Sequence, residues 1–176
     1  MEVTVSPSIY TDTQPLEGIN LPASTLPEIL QSAPYVWLQF LRHLGCIYCK
    51  GLVQDIRTFI EQWKGDTRPQ LIFVHPNTLE EGKRFFDRYY PGSAFIADPK
   101  LRLYKLFGVR RASLWQQLHW SNLRRFWTLV RRGLGNDRPS GDPWVLHATF
   151  LFHNGKLVWK YYAKYLSDVP DWKQLS

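Results

Sequence analysis

Between residues 35 and 63 the apolar period of the chain changes once, and that change limits the fold more than any other feature. "YVWLQFL" (35–41) is a nearly unbroken apolar run of strand length, the pattern of a strand buried on both faces. From Cys49 onward the apolar positions are Leu52, Val53, Ile56, Ile60 and Trp63, which form one face of a helix. Only a few residues separate the two patterns, so strand and helix meet end to end. Gly45 stands at the corner, where it is expected to permit a tight turn. The chain has two cysteines, Cys46 and Cys49, and both sit at this junction.

The alternation continues downstream. "QLIFVH" (70–75) reads as a second strand, and Asn77 with Glu80 reads as a capping box opening a helix through Phe85, Phe86 and Tyr89. "SAFIAD" (93–98) is a short strand, after which Asp98 is expected to cap a helix with Pro99 at its first position and Gly108 at its end. "SNLRRFWTLVRRGLG" (121–135) reads as a helix capped by Ser121 or Asn122 and stopped at Gly133. Two β-rich runs around Asn154-Gly155 give the strongest hairpin signal in the sequence. Residues 1–33, rich in Pro, Ser and Thr, read as an arm with a short helix at "LPEILQ"; "SDVPDWKQLS" has room for a short helix only. Strand, C-x-x-C, helix, strand, helix, strand, helix, hairpin is the order of a thioredoxin-like α/β fold. Three layers (α/β/α) around a mixed sheet are therefore expected over 34–165, with a helical insertion at about 109–144 before the hairpin and a tail from 166 to 176.

Composition supports a packed core: 44% of residues are hydrophobic and 15% aromatic, too apolar for a disordered chain. No apolar run approaches the roughly 18 residues of a membrane span, and the first residues lack a basic stretch followed by an apolar one. The expected setting is the reducing cytoplasm, where a C-x-x-C pair points to redox chemistry or metal and not to a structural disulfide. A closed zinc site needs further ligands. Among the five histidines only His147 and His153 stand at H-x₃₋₅-H spacing, inside a β-rich run, and there is no second C-x-x-C, so neither metal nor cofactor is expected.

Helix position separates the two thiols. At the first turn Cys46 faces unpaired backbone N–H groups and the positive end of the helix dipole, both favouring thiolate. Arg42 and Lys50 flank the motif, and no acidic residue lies between Glu28 and Asp55. Cys49, in phase with Leu52, Val53 and Ile56, should be the more buried. An exposed, acidified thiol that attacks and a sheltered one that resolves make a dithiol cycle.

"FLRHLGCIYCK" resembles the F-x-R-x-x-G-C-x-x-C signature of peroxiredoxin-like proteins (peroxiredoxin-like 2), a branch of the alkyl hydroperoxide reductase/thiol-specific antioxidant (AhpC/TSA) superfamily. "FIADPKLRLYKLFGV" is similar to that superfamily's D-P-x-x-x-x-Y-x-x-F/L-G-V segment, and "GDPWVLHATFLFHNGKLVW" to its closing hairpin. The resemblance spans about residues 35–165. It implies an antioxidant enzyme that reduces hydroperoxides with electrons from a thioredoxin- or glutathione-like thiol donor. Cys46 would be its nucleophile and Cys49 its resolving thiol. Two departures bear on the chemistry. Thioredoxins carry a Pro before the strand facing the motif, where this chain has His147-Ala148. Peroxiredoxins place Pro and Thr seven and three residues before the reactive Cys, where this chain has Gln39 and His43. His43 is the candidate to replace the missing hydroxyl as a peroxide donor, and Arg42 the candidate to stabilise the thiolate and bind a peroxide oxygen. A protein or small-molecule disulfide reductase remains the rival enzyme, and a redox-gated adaptor the rival without turnover.

The net charge of +7 is localised. From Lys100 to Asn136 there are nine Lys or Arg and no Asp or Glu, leaving the rest of the chain slightly acidic. In the helix expected there, Leu123, Phe126, Trp127 and Val130 form one face, and Arg124, Arg125, Thr128, Arg131 and Arg132 the other. Three readings follow: a lid whose aromatics pack inward; contact with an anionic membrane surface through Arg124, Arg125, Arg131 and Arg132; or an acidic protein partner. Nucleic acid ranks last for want of a recognised motif. Inward-packed aromatics would remove most of the force of the membrane reading.

Overall fold

The computed structural model of the protein describes residues 5–65, 67–138 and 141–172. Six strands form one sheet: β1 (Glu17–Ile19), β2 (Tyr35–Phe40), β3 (Gln70–His75), β4 (Ala94–Ala97), β5 (Ala148–His153) and β6 (Lys156–Tyr162), in the spatial order β1-β4-β3-β2-β5-β6. β4, β3 and β2 run parallel; β1, β5 and β6 pair antiparallel to their neighbours. The sheet is mixed and the fold is thioredoxin-like. β2 lies at its centre because both of its faces are apolar. Trp37 and Leu41 join one core layer, under α2 (Ile47–Glu61) and α3 (Leu79–Tyr89). Val36, Leu38 and Phe40 join the other, with α1 (Leu26–Leu30) and α4 (Arg102–Leu106). Asn154 and Gly155, both at positive φ, make the hairpin turn between β5 and β6.

Several local expectations are corrected. The arm contributes β1 to the sheet edge, a three-residue strand too short to show a period. Thr78, not Asn77, caps α3 in a box with Glu81; Asn77 is drawn away to accept the amide of Leu44 at 3.1 Å. Pro99 sits in a turn and α4 starts at Arg102. Asp98 still serves its first turn, accepting from the amides of Arg102 (2.9 Å) and Leu103 (2.8 Å). The short helix expected in the tail depends on residues 173–176, which lie outside the described residues.

The basic stretch forms two helices, α5 (Leu114–Gln117) and α6 (Trp120–Arg131), and α6 is capped by His119, upstream of either residue expected. α6 does not bury the apolar face that the lid reading requires. Asn122 and Leu129 are buried, while Leu123, Trp127 and Val130 are exposed. Leu129 seats on Gly51 of α2, where a Cβ would come within 2.5 Å of it. Arg125 and Arg132 both pair with Asp55 of α2, so they line the edge of this contact. The four arginines therefore divide into a docked pair and an outward pair, Arg124 and Arg131. They do not form a single stripe.

Candidate active site

The junction that ends β2 is fixed from below before any cysteine is reached. The hydroxyl of Tyr104, in α4, donates to the carbonyl of Leu41 and also to that of Val74 at 3.1 Å. The D-P-x-x-x-x-Y segment thus positions the cysteine loop: Asp98 starts α4, and α4 delivers Tyr104 to the strand end. Asn77 holds the amide of Leu44 from the β3–α3 loop.

Arg42 is almost fully buried, 3% exposed. Its Nε donates to the carbonyl of Val145 at 3.0 Å and its Nη2 to that of Pro143 at 2.6 Å. Those two bonds aim the remaining nitrogen, and Nη1 lies 3.1 Å from Cys46 Sγ. Cys46 is the N-cap of α2, with Cys49 one turn into the helix. Both are free thiols, and they are brought together with Arg42.

The electrostatics separate the pair. The Cys46 thiol is lowered from 9.0 to about 6, chiefly by the hydrogen bond from the Cys49 thiol. Burial opposes the shift; Arg42 and the amides of Cys49 and Tyr48 add to it. Burial pushes Cys49 well above 9.0, and its bond to the Cys46 sulfur raises it further. One proton is shared between two sulfurs and held on Cys49. The exposure difference expected from the sequence is absent: Cys46 is 4% and Cys49 2% exposed. Ionisation separates these thiols, and exposure does not.

The cover over Cys46 is the end of the basic insertion. Asn136 Oδ1 accepts the amide of Ile47 at 2.9 Å, and the amide of Asp137 donates to the carbonyl of Gly45 at 2.9 Å. Lys50, 2% exposed, donates to the Gly135 carbonyl at 2.6 Å and to Asp137 at 2.7 Å. Gly45 does lie in a tight turn, closed by the Cys46 amide on the His43 carbonyl at 3.1 Å, but what requires a glycine there is the closure above it. Its φ is not positive, and a Cβ there would meet the Arg138 carbonyl at 2.5 Å. Beside the cover, a cavity of about 220 Å³ runs along Leu44 and Gly45, edged by Arg84, Arg88 and Arg138 and by the carboxylates of Glu81 and Asp137.

His43 is buried next to this loop. Burial, then the charges of Arg42 and Lys50, lowers it to about 4, so it is neutral. Its Nδ1 has no hydrogen-bond partner among the described residues. Gln39 is fully buried, donating to the carbonyls of Phe40 and Ala148 and accepting from Thr149 at 2.8 Å. Sequence reasoning missed Tyr104, Asn136, Asp137 and the structural part of Lys50. The Tyr was visible inside its motif; the other contacts join positions more than 80 residues apart and leave no local signal. Among the described residues, no group of His, Cys, Asp and Glu has the arrangement to hold a metal ion. No helix among them is long and apolar enough to cross a membrane.

No curated protein matches the sequence. Solved structures share its fold at low identity. One describes the alkyl peroxide reduction activity of the Xanthomonas campestris bacterioferritin comigratory protein. It is 10% identical, covering 90% of this chain and 85% of that one, with a TM-score of 0.59. Peroxidoxin BcpB from Mycobacterium tuberculosis is 14% identical over 89% of this chain and 88% of that one, at 0.57. A putative thiol:disulfide interchange protein DsbE from Chlorobium tepidum is 15% identical over 86% and 84%, at 0.50. A family model for the AhpC/TSA antioxidant enzyme matches residues 47–165. That match takes in α2 with Cys49, the Asp98–Tyr104 segment, the insertion and the closing hairpin, and so the chain belongs to the AhpC/TSA antioxidant enzyme family, in its peroxiredoxin-like branch.

Proposed function

We propose that the protein is a thiol peroxidase working by a Cys46–Cys49 dithiol cycle. The observation that carries this reading is the buried guanidinium of Arg42, 3.1 Å from a Cys46 sulfur that also accepts from Cys49. The Cys46 thiolate attacks one oxygen of a hydroperoxide, the O–O bond breaks, and the alkoxide takes a proton and leaves as alcohol. Cys46 is then a sulfenic acid. Cys49 attacks that sulfur, a disulfide forms and water leaves. A dithiol donor, or two monothiols, returns two electrons and two protons and departs as its own disulfide. Arg42 holds the thiolate and presents charge to the peroxide oxygen. Neutral His43, with an unused ring nitrogen, is the local group able to offer a hydrogen bond where peroxiredoxins use Thr. Residues 109–144 act as an insertion whose end closes the site, and it must part for substrate to reach Cys46.

The donor is of the thioredoxin or glutathione kind. The setting we assign is the reducing cytoplasm. The outward surface of the basic segment is where we place a further partner, an anionic membrane or an acidic protein. Disulfide reduction is the second reading, favoured by the short C-x-x-C spacing and by the absence of a Thr at position 43. Stopped-flow oxidation of the reduced protein separates these readings. Rapid reaction with hydrogen peroxide or an organic hydroperoxide, and slow reaction with a small disulfide, is expected. The reverse ranking makes the protein a disulfide reductase, and inertness to all three makes it a redox-gated adaptor.

A further inference from the structure

The helices α5 and α6 turn their largest apolar side chains to solvent. Leu114, Trp115, Leu118, Trp120, Leu123 and Trp127 are between 56% (Trp127) and 83% (Trp115) exposed. Trp120, Leu123, Trp127 and Val130 recur at three- and four-residue steps, so they form a single stripe along α6, opposite buried Leu129. This exposure is built into the fold and is not slack packing. Asn122, buried under α6, donates to the carbonyls of Gln116 and Gln117 at 3.0 and 2.9 Å, fixing the α5–α6 corner. Its side-chain oxygen accepts from Ser167, and its own carbonyl accepts the Tyr48 hydroxyl at 2.8 Å. Leu129 on Gly51 and the two arginines on Asp55 lock the inner face to α2. The outer face is thereby held outward.

Charge says what covers it. A step of four from Trp120 or Trp127 reaches Arg124 or Arg131, so both flank the apolar stripe on the same side. Neither has an ion pair among the described residues. No acidic residue occurs between Lys100 and Asn136. Indoles and leucines beside unpaired guanidiniums match a surface that offers anions and hydrocarbon at one depth, which an anionic bilayer does. An acidic protein would satisfy the arginines and still need its own apolar patch for three indoles.

We infer that the outer face of α5 and α6 is an interfacial membrane-binding surface, lying in the headgroup region of anionic bilayers with Trp115, Trp120 and Trp127 inserted and Arg124 and Arg131 on lipid phosphates. The test is co-sedimentation of the reduced full chain with vesicles of phosphatidylglycerol and phosphatidylcholine, against phosphatidylcholine alone, at low and high salt. Binding to the anionic vesicles that weakens with salt is expected. Each Lys or Arg at such a surface is worth enough that Arg124→Gln with Arg131→Gln should cost roughly thirtyfold in partitioning. Trp115→Ala with Trp120→Ala and Trp127→Ala should cost at least as much. Lys64→Gln with Lys83→Gln, both exposed and outside α5 and α6, should leave vesicle binding unchanged. All these side chains are exposed, and circular dichroism checks that each variant is folded. Failure to bind anionic vesicles at low salt overturns the inference and leaves the face to an acidic protein. Binding that the tryptophan variant retains in full overturns insertion. A concentration-dependent dimer that the tryptophan variant abolishes gives the face to a second copy instead. No thiol chemistry enters this test, so its failure leaves the reading of the cysteines standing.

Discussion

Replacing Arg42 by Gln should raise the Cys46 thiol pKa without abolishing the fold. The guanidinium contributes one charge-assisted hydrogen bond to the sulfur, at 3.1 Å in a buried site. Bonds of that class are worth about 1.5–3 kcal/mol, and a pKa unit corresponds to about 1.4 kcal/mol. The expected rise is therefore about one to two units from the value near 6. The larger support, the Cys49 thiol, remains. Ultraviolet thiolate absorbance against pH reads the shift directly, because Cys49 is held well above 9.0 and Cys46 is the thiol that ionises below it. Arg42 has a second role to separate from the first, because it also serves the carbonyls of Val145 and Pro143. Leaving those acceptors short of a donor costs about 1–3 kcal/mol each at the upper end, so Tm should fall too. Arg42→Lys keeps the charge and loses the fork, so it should lower Tm while moving the pKa less. A folded Arg42→Gln protein with an unchanged Cys46 pKa would refute the assignment of Arg42 to the thiolate.

Three further outcomes are expected. Lys50→Met removes the buried ammonium that ties Gly135 and Asp137 over the cysteines, so alkylation of Cys46 should speed up several-fold with its pKa in place; an unchanged rate means that the cover does not limit access. His43, His75 and His147 are each lowered from 6.5 to about 4, mainly by burial. The unfolded chain then binds more protons between those values, so unfolding free energy should fall as pH drops from about 6.5 towards 4; denaturant titrations giving a flat profile there would show these imidazoles charge freely in the fold. His43→Ala should slow oxidation by hydroperoxide far more than oxidation by a small disulfide, and equal slowing would reduce His43 to packing of the loop.

Most of the central architecture was legible because burial leaves a period. β2 and α2 announce themselves by a change from continuous to three-and-four spacing, and Asn154-Gly155 by the positive φ its turn requires. The C-x-x-C at their junction marks the candidate site in the sequence itself. What stayed hidden is long-range or of short period. β1 is three residues long and is a strand only because β4 lies beside it. The cover over Cys46 joins residues 45–50 to 135–138 through main-chain and charged contacts that no local pattern encodes. In α6 amphipathicity left the orientation open. The apolar stripe could equally be a lid packed inward or a surface for a partner, and Asn122 and Leu129 are the residues buried, since Gly51 accepts only a narrow ridge and Asp55 draws two arginines to it.

The central claim is that Cys46 attacks and Cys49 resolves. Its most direct measurement is peroxide trapping in the two single variants, with the modified sulfur identified by mass spectrometry. Reduced Cys49→Ser treated with an equimolar hydroperoxide should accumulate a sulfenic acid on Cys46, captured by a dimedone-type reagent. Cys46→Ser should consume no peroxide, and the wild type should yield the Cys46–Cys49 disulfide with no trapped intermediate. A sulfenic acid that accumulates on Cys49 in the Cys46→Ser variant, with Cys49→Ser inert, would contradict the account.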